Sequence, residues 1–266
     1  MDLNGDGRKD LLTARSNAKK GEGELLWLEH PEAGLDSTEP WTEHSLGNLA
    51  DVTFSVETME EYPDEIVMFS AHFFDEAVRM IRISTKDGSL VGSKTIDDAN
   101  VLSAYTATLV DLNGDGSRQL LVNDHQTKDK ETAVWAYQFP EDPMNDDWTR
   151  VTLASGFHNA FSLTAPGMSP GFTYAFYPQG KKEGEKAHIM VAGDGDHAAH
   201  AMYPTDEDFG YENTIFKQTK GTVGSLVFSD LDEDGWQEVW LPVHDEGTIT
   251  LYKLSTPAST PEEFLQ

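Results

Sequence analysis

The chain has 266 residues, of which 38% are hydrophobic and none is cysteine, so it can bury a sizeable core but cannot form disulfides or thiolate metal sites. Its 47 acidic residues outnumber 19 Lys and Arg, and the net charge of −28 argues against nucleic-acid binding through a basic surface. No apolar run approaches the length of a membrane span.

An acidic nine-residue pattern occurs three times, in loop 1 (residues 2–10), loop 2 (111–119) and loop 3 (230–238). Oxygen-bearing side chains at alternate positions can converge on one hard cation, and calcium takes about six to eight oxygen ligands at flexible geometry. The glycine at position 6 permits the positive φ that lets such a loop curl around an ion. That glycine is Gly7, Gly116 or Gly235.

Short apolar runs follow the loops at residues 11–14, 120–122 and 239–241, and runs of this length predict strands. An EF-hand would need flanking helices and Glu at position 12, where this chain has Thr13, Val122 and Leu241. The loops are therefore expected to join strand to strand. An Asx-rich turn that binds nothing is the alternative. Neutral Gln119 makes loop 2 the weakest candidate.

Two diverged units lie between the loops. One has strand-like runs at 51–56, 65–69 and 77–83; the other has them at 161–165, 188–192 and 199–203, with a long Gly/Pro-rich connection after the first. The repeat is then about 55 to 60 residues with four short strands each, which is typical of a β-propeller blade. We expect an all-β propeller domain at 1–254 with blades at roughly 1–48, 49–98, 99–155, 156–219 and 220–254, and a flexible tail at 255–266.

The acidic pattern followed by two or three apolar residues resembles the FG-GAP/VCBS repeat, which builds the propellers of integrin α heads and of many secreted microbial proteins. The resemblance covers most of the chain as five whole or partial blades, and both ends lack a strand, which suggests a piece of a larger ring such as a seven-bladed one. It implies up to three calcium sites. Weak calcium sites need millimolar calcium to fill, which favours an extracellular or periplasmic setting, with any signal segment upstream. The ligand positions that the resemblance implies are 1 (Asp2, Asp111, Asp230), 3 (Asn4, Asn113, Asp232), 5 (Asp6, Asp115, Asp234), 7 (Arg8, Ser117, Trp236) and 9 (Asp10, Gln119, Glu238).

Histidines recur at the far end of the strand that follows each loop position. The set comprises His72, His125 and His244, with Arg15 in the first unit, His197 beside Asp194 and Asp196 in the fourth, and His158 in a connection between blades. In a blade these positions would meet on the face opposite the loops. Imidazole suits a second divalent metal, proton transfer, or both. The alternative is that turn positions are polar anyway and histidine is one polar choice.

The loops, the segment 23–31 and the histidine-bearing face also resemble the propellers of fungal aldos-2-ulose dehydratases and of some polysaccharide lyases. That resemblance implies β-elimination on a carbohydrate or small sugar. His125 or His158 would be the base, His197 and His244 metal ligands or partners, and Arg15 or a tyrosine such as Tyr105 or Tyr174 the charge stabiliser. The other function left open is a non-catalytic module that binds glycan or protein, with calcium only bracing the blades.

Overall fold

The computed structural model describes residues 1–36, 38–126, 132–157 and 168–254. All regular secondary structure in these ranges is β-strand. The strands are β1 Leu11–Arg15, β2 Glu24–Glu29, β3 Thr42–Gly47, β4 Thr53–Glu57, β5 Glu65–His72, β6 Ala77–Ser84, β7 Leu90–Asp97, β8 Ala104–Val110, β9 Gln119–Asp124, β10 Ala133–Gln138, β11 Thr149–Ser155, β12 Thr173–Phe176, β13 His188–Ala192, β14 Ala198–Pro204, β15 Tyr211–Gln218, β16 Val227–Ser229, β17 Glu238–Val243 and β18 Thr248–Lys253.

The strands form five antiparallel sheets, each made of strands that follow one another in the chain. Sheet 1 is β1–β3, sheet 2 is β4–β7, sheet 3 is β8–β11, sheet 4 is β12–β15 and sheet 5 is β16–β18. The predicted fold class is confirmed: the chain is all-β, and its three- and four-stranded meanders are compatible with propeller blades. A closed ring, and the larger ring from which this chain would derive, stay predictions. The predicted tail lies outside the described residues.

The chain divides into two compact units. Unit 1 comprises Met1–Leu109 and Pro140–Asp147, and unit 2 comprises Val110–Phe139 and Trp148–Gln266. In unit 1 the buried side chains of sheets 1 and 2, among them Leu25, Trp27, Met68 and Ile81, form one core cluster. The indole of Trp27 donates to the Gly88 carbonyl over 3.1 Å and stacks on the His44 ring at 3.9 Å between centroids, which fixes the edge of this core.

In unit 2, sheet 4 is buried on both faces. Ile189 and Val191 of β13 belong to a core cluster shared with sheet 3, whereas Met190 and Ala192 belong to one shared with sheet 5. Successive side chains of a strand point to opposite faces, so a strand packed on both sides must be apolar throughout. This explains the unbroken apolar run at 189–192.

The fourth sheet differs from the prediction in its first strand. That strand is β12, which pairs with β13 from Thr173↔Val191 to Phe176↔His188 and lies inside the stretch predicted to be a connection. The prediction of a connection was wrong for these residues. Thr, Tyr and Phe favour strands, but the surrounding Gly and Pro obscured so short a run. The strand predicted at 161–165 lies outside the described residues.

Candidate metal centres in the acidic loops

The three loops share one hydrogen-bonded frame. In each, the side chain at position 9 accepts the backbone N–H of position 2, and the Asp at position 1 accepts the N–H of the glycine at position 6. The position 9 bonds are Leu3 N to Asp10 Oδ2 at 2.8 Å, Leu112 N to Gln119 Oε1 at 2.8 Å and Leu231 N to Glu238 Oε2 at 2.7 Å. The position 1 bonds are Gly7 N to Asp2 at 2.8 Å, Gly116 N to Asp111 at 3.0 Å and Gly235 N to Asp230 at 3.0 Å.

The glycines make this frame sterically possible. Gly7, Gly116 and Gly235 have φ of 83°, 86° and 90°, a region that side chains other than glycine rarely adopt. The N–H of Gly7 holds the pKa of Asp2 below its ordinary value, so this carboxyl stays ionised near neutrality. The loops are thus preformed turns that present acidic side chains.

Loop 3 brings its carboxylates closest together. Asp230, Asp232 and Glu238 each offer a carboxylate oxygen, and these oxygens all lie within 4.8 Å of one another. Within the described ranges no other three Asp, Glu or His residues meet this criterion. Three carboxylates without nitrogen or sulfur favour a hard cation such as calcium, magnesium or manganese. Trp236 at position 7 could add only its backbone carbonyl.

Glu238 carries a second sign of a cation site. The residue is 3% exposed, and although its Oε2 accepts the Leu231 N–H, its Oε1 is buried without a hydrogen-bond partner. A buried, unpartnered carboxylate oxygen is costly, and native structures rarely leave one unsatisfied. A cation held between Asp230, Asp232 and Glu238 would satisfy it.

Each loop also has a basic side chain against its acids. In loop 1 the Arg8 guanidinium pairs with Asp6; in loop 2 Lys181 Nζ lies 2.8 Å from Asp111 Oδ2. In loop 3 Lys253 Nζ lies 2.5 Å from Asp232 Oδ2 and 2.7 Å from Asp234 Oδ2. The Lys253 ammonium holds the pKa of Asp234 below its ordinary value. Sequence reasoning missed both lysines because they lie outside the nine-residue pattern.

Loop 2 is the least suited to a cation. The Gln119 amide makes the closing bond, but its Nε2 donates to Ser117 Oγ over 2.7 Å, so it presents N–H groups where Glu238 presents an oxygen. Asn113 Nδ2 at position 3 donates to Asp208 Oδ1 over 2.8 Å, while the Asn113 Oδ1 is a neutral acceptor that is buried without a hydrogen-bond partner. Ser117 also holds the pKa of Asp115 below its ordinary value by donating to the carboxylate. Only Asp111 and Asp115 bring negative charge to this loop, whose position 8 is Arg118.

The predicted histidine positions lie at the ends of strands away from the loops. Loop 2 precedes β9 and His125 follows it; loop 3 leads into β17 and His244 follows that strand. The His244 side chain is 85% exposed, and its Nδ1 lies 3.8 Å from Asp245 Oδ1. In unit 1 the exposed Arg15 pairs with Glu24 and Glu43. His158 lies outside the described residues.

His72 is fully buried in unit 1 and is held by local contacts. Its Nε2 donates to the Leu49 carbonyl over 2.8 Å, and its Nδ1 lies 3.6 Å from Asp75 Oδ2. Burial lowers the pKa of His72, which therefore stays neutral near pH 7. These contacts give it a structural role.

In unit 2 the structure brings two histidine–aspartate pairs into the same region. His125 Nδ1 lies 2.9 Å from the Pro170 carbonyl oxygen. Because a carbonyl oxygen can only accept a hydrogen bond, Nδ1 carries the proton. The other ring nitrogen, Nε2, lies 3.6 Å from Asp194 Oδ2. His200 Nε2 lies 2.6 Å from Asp196 Oδ2. Burial lowers the pKa of His125.

The remaining residues predicted for this face are held in other ways. His197 occupies the turn between β13 and β14 with φ of 55°, and its carbonyl accepts the Thr219 N–H. Tyr174, considered as a charge stabiliser, packs against the core cluster that sheets 4 and 5 share.

The sequence matches no known protein family, and no curated protein is detectably similar to it. In the part of the chain that the structure describes, no helix is both long and apolar enough to cross a lipid bilayer.

Proposed function

We propose that the chain is a calcium-binding β-sheet protein in which the cation braces the acidic loops, with loop 3 as its principal site. The observation that carries the proposal is Glu238, whose Oε1 is buried and unpartnered and whose carboxylate lies beside those of Asp230 and Asp232. The calcium sites of extracellular modules typically have Kd values of about 10⁻⁴–10⁻³ M, which is the setting expected from the sequence.

The position of loop 3 explains what the cation would do. The loop joins β16 to β17, and its closing residue Glu238 pairs with Ser229 across those strands. A cation bound there ties the two strand ends together and offsets the repulsion between neighbouring carboxylates. A ligand that binds only the folded state stabilises it by about 2.7 kcal/mol at a hundred times its Kd.

Of the two roles that the sequence left open, we propose the non-catalytic module for glycan or protein. Catalysis by the predicted set needs several histidines and acids within reach of one another. Instead His72 is held in buried contacts and His244 is exposed on a turn.

Carbohydrate β-elimination is kept as a second candidate because of one observation. His125 has Nδ1 committed to Pro170 and Nε2 facing Asp194, and its lowered pKa keeps it neutral near pH 7, as a general base must be.

Calcium binding is tested by thermal unfolding in EDTA and in calcium, with calorimetric titration to count the sites. We expect calcium to raise the unfolding midpoint, and the variant Asp230→Asn/Asp232→Asn to lose one bound ion and most of that rise. Asp206→Asn/Glu212→Gln removes the same charge from exposed positions outside the loops and should behave as wild type. A midpoint that calcium leaves unchanged in the wild-type protein would refute the proposal.

Elimination is tested by ultraviolet absorbance, because removing a proton next to a carbonyl or carboxyl group creates a conjugated double bond. The calcium-loaded protein would be assayed on uronic-acid polysaccharides and on dehydratable keto-sugars, with His125→Gln against the exposed His244→Gln. Absorbance that His125→Gln abolishes and His244→Gln retains would support the second candidate. No absorbance on the whole panel would leave the calcium-braced binding module.

A further inference from the structure

Lys253 reaches loop 3 from the neighbouring strand. It lies in β18 directly opposite Glu238 of β17, and this register directs its side chain at the loop. Its ammonium contacts Asp232 at 2.5 Å and Asp234 at 2.7 Å, so it shares Asp232 with the carboxylate group that would hold calcium. The side chain is 41% exposed, which leaves it a path into solvent.

The residue opposite position 9 differs in charge between the three loops. In loop 2 it is Gln138, opposite Gln119. In loop 1 position 9 is Asp10. Because the next residue, Leu11, pairs with Leu28 in an antiparallel register, the residue facing Asp10 is Glu29. Glu29 also accepts a hydrogen bond from Asn4 of the loop. The same place in the frame thus carries an acid, an amide or a base.

We propose that Lys253 is a tethered cation that competes with calcium for loop 3 and sets the affinity of that site. The inference rests on the proposed function of loop 3. Calcium and an ammonium group cannot both contact the Asp232 carboxylate at close range, because two positive charges a few ångströms apart repel each other. Calcium binding therefore moves Lys253 away from the loop, and the Lys253–Asp232 contact lowers the calcium affinity.

This competition predicts opposite effects on binding and on stability. Without calcium, Lys253 offsets the repulsion between Asp232 and Asp234, so its removal weakens the calcium-free fold. With calcium, its removal eliminates the competitor, so affinity rises. A residue with only a structural role would lower stability without raising affinity.

A charge series at this position tests the inference by calorimetric titration with calcium. Lys253→Met should bind calcium about two- to fivefold more tightly than wild type, the range expected when one partly exposed ion pair no longer has to be broken. Lys253→Arg keeps the charge and should bind within about twofold of wild type. Lys253→Glu places an acid where loop 1 has Glu29 and should bind at least as tightly as Lys253→Met. Lys217→Met, at an exposed position of β15, controls for the change in net charge.

A second readout needs no variant. Acetylation of lysines in the wild-type protein, followed by mass spectrometry, should show that calcium accelerates modification of Lys253 and leaves Lys217 unchanged. If Lys253→Met binds calcium no more tightly than wild type, or if calcium does not expose Lys253, the competition is refuted. If the competition is refuted but the wild-type protein binds calcium and Glu238→Gln does not, the proposed function of loop 3 stands without a role for Lys253. If neither wild type nor Lys253→Met binds calcium, the proposed function itself fails.

Discussion

Replacing Glu238 by Gln separates the two tasks of the residue that closes loop 3. The amide oxygen can still accept the Leu231 N–H, as Gln119 does for Leu112 in loop 2. The substitution removes the negative charge and replaces the unpartnered carboxylate oxygen with an amide NH2 group, which cannot bind a cation. The loop should therefore stay closed while its ability to hold a cation falls.

The magnitude follows from the charge of Glu238. Without calcium the Glu238 carboxylate repels those of Asp230 and Asp232, so in EDTA the neutral variant should be up to about 1 kcal/mol more stable than wild type. In calcium at a hundred times the Kd, the wild-type protein gains about 2.7 kcal/mol from a single site, and the variant should lose this gain at loop 3. The stability order of the two proteins thus reverses between EDTA and calcium.

Denaturant unfolding followed by tryptophan fluorescence in both conditions measures this reversal, and calorimetric titration gives the number of ions bound. Glu238→Asp is the matched control, because Asp10 makes the same closing bond in loop 1 and the charge is kept. A Glu238→Gln variant that still binds the same number of calcium ions, and still gains wild-type stability from them, would show that Glu238 is not a ligand.

Three further predictions concern the sheets and do not depend on calcium. Gly88→Ala should destabilise by about 2–4 kcal/mol, because a Cβ there would lie 2.4 Å from the Trp27 ring and φ is 67°; Gly34→Ala, at φ of 88° with open space around it, should cost only about 1 kcal/mol in the same unfolding assay. Asp51→Ala should cost about 2–3 kcal/mol in urea unfolding, since its buried carboxylate accepts the backbone N–H groups of residues 73–75, which would be left unpaired. Burial lowers the pKa of His188 from 6.5 to about 4, so the folded state favours the neutral imidazole. Stability is therefore lost as the pH falls below 6.5, by about 2 kcal/mol at about pH 5. The variant His188→Phe should lack this part of the pH dependence, and a pH profile of stability like that of wild type would contradict the prediction.

The sequence was sufficient for the loops and for the class of fold. The glycine at position 6 predicts a positive φ, and Gly116 has one. Apolar runs such as 120–122 predict a buried strand, and β9 is buried throughout. These signals are local, so they survive without knowledge of tertiary packing. The short β12 was missed because its four residues carry too little pattern to stand out between Gly and Pro.

What the sequence could not supply depends on register and on packing. Lys253 reaches Asp232 only because β18 pairs with β17 in the register that sets it opposite Glu238, and nothing in the pattern of either strand fixes that register. Likewise, His72 and His244 occupy corresponding strand ends, yet one is buried beside Asp51 and Asp75 while the other is exposed. Equivalent positions in a repeat diverge when their neighbours do.

Position 9 shows how such a repeat can keep its shape while it changes its chemistry. Asp10, Gln119 and Glu238 all accept the N–H of position 2, so loop closure needs an acceptor and not a charge. Where the charge is gone, at Gln119, Lys181 compensates the remaining Asp111 and the turn persists. The acidic pattern therefore identifies the turn, whereas the proposal assigns its capacity for calcium to the charge at position 9 and to the residue that faces it across the hairpin, which in loop 3 is Lys253.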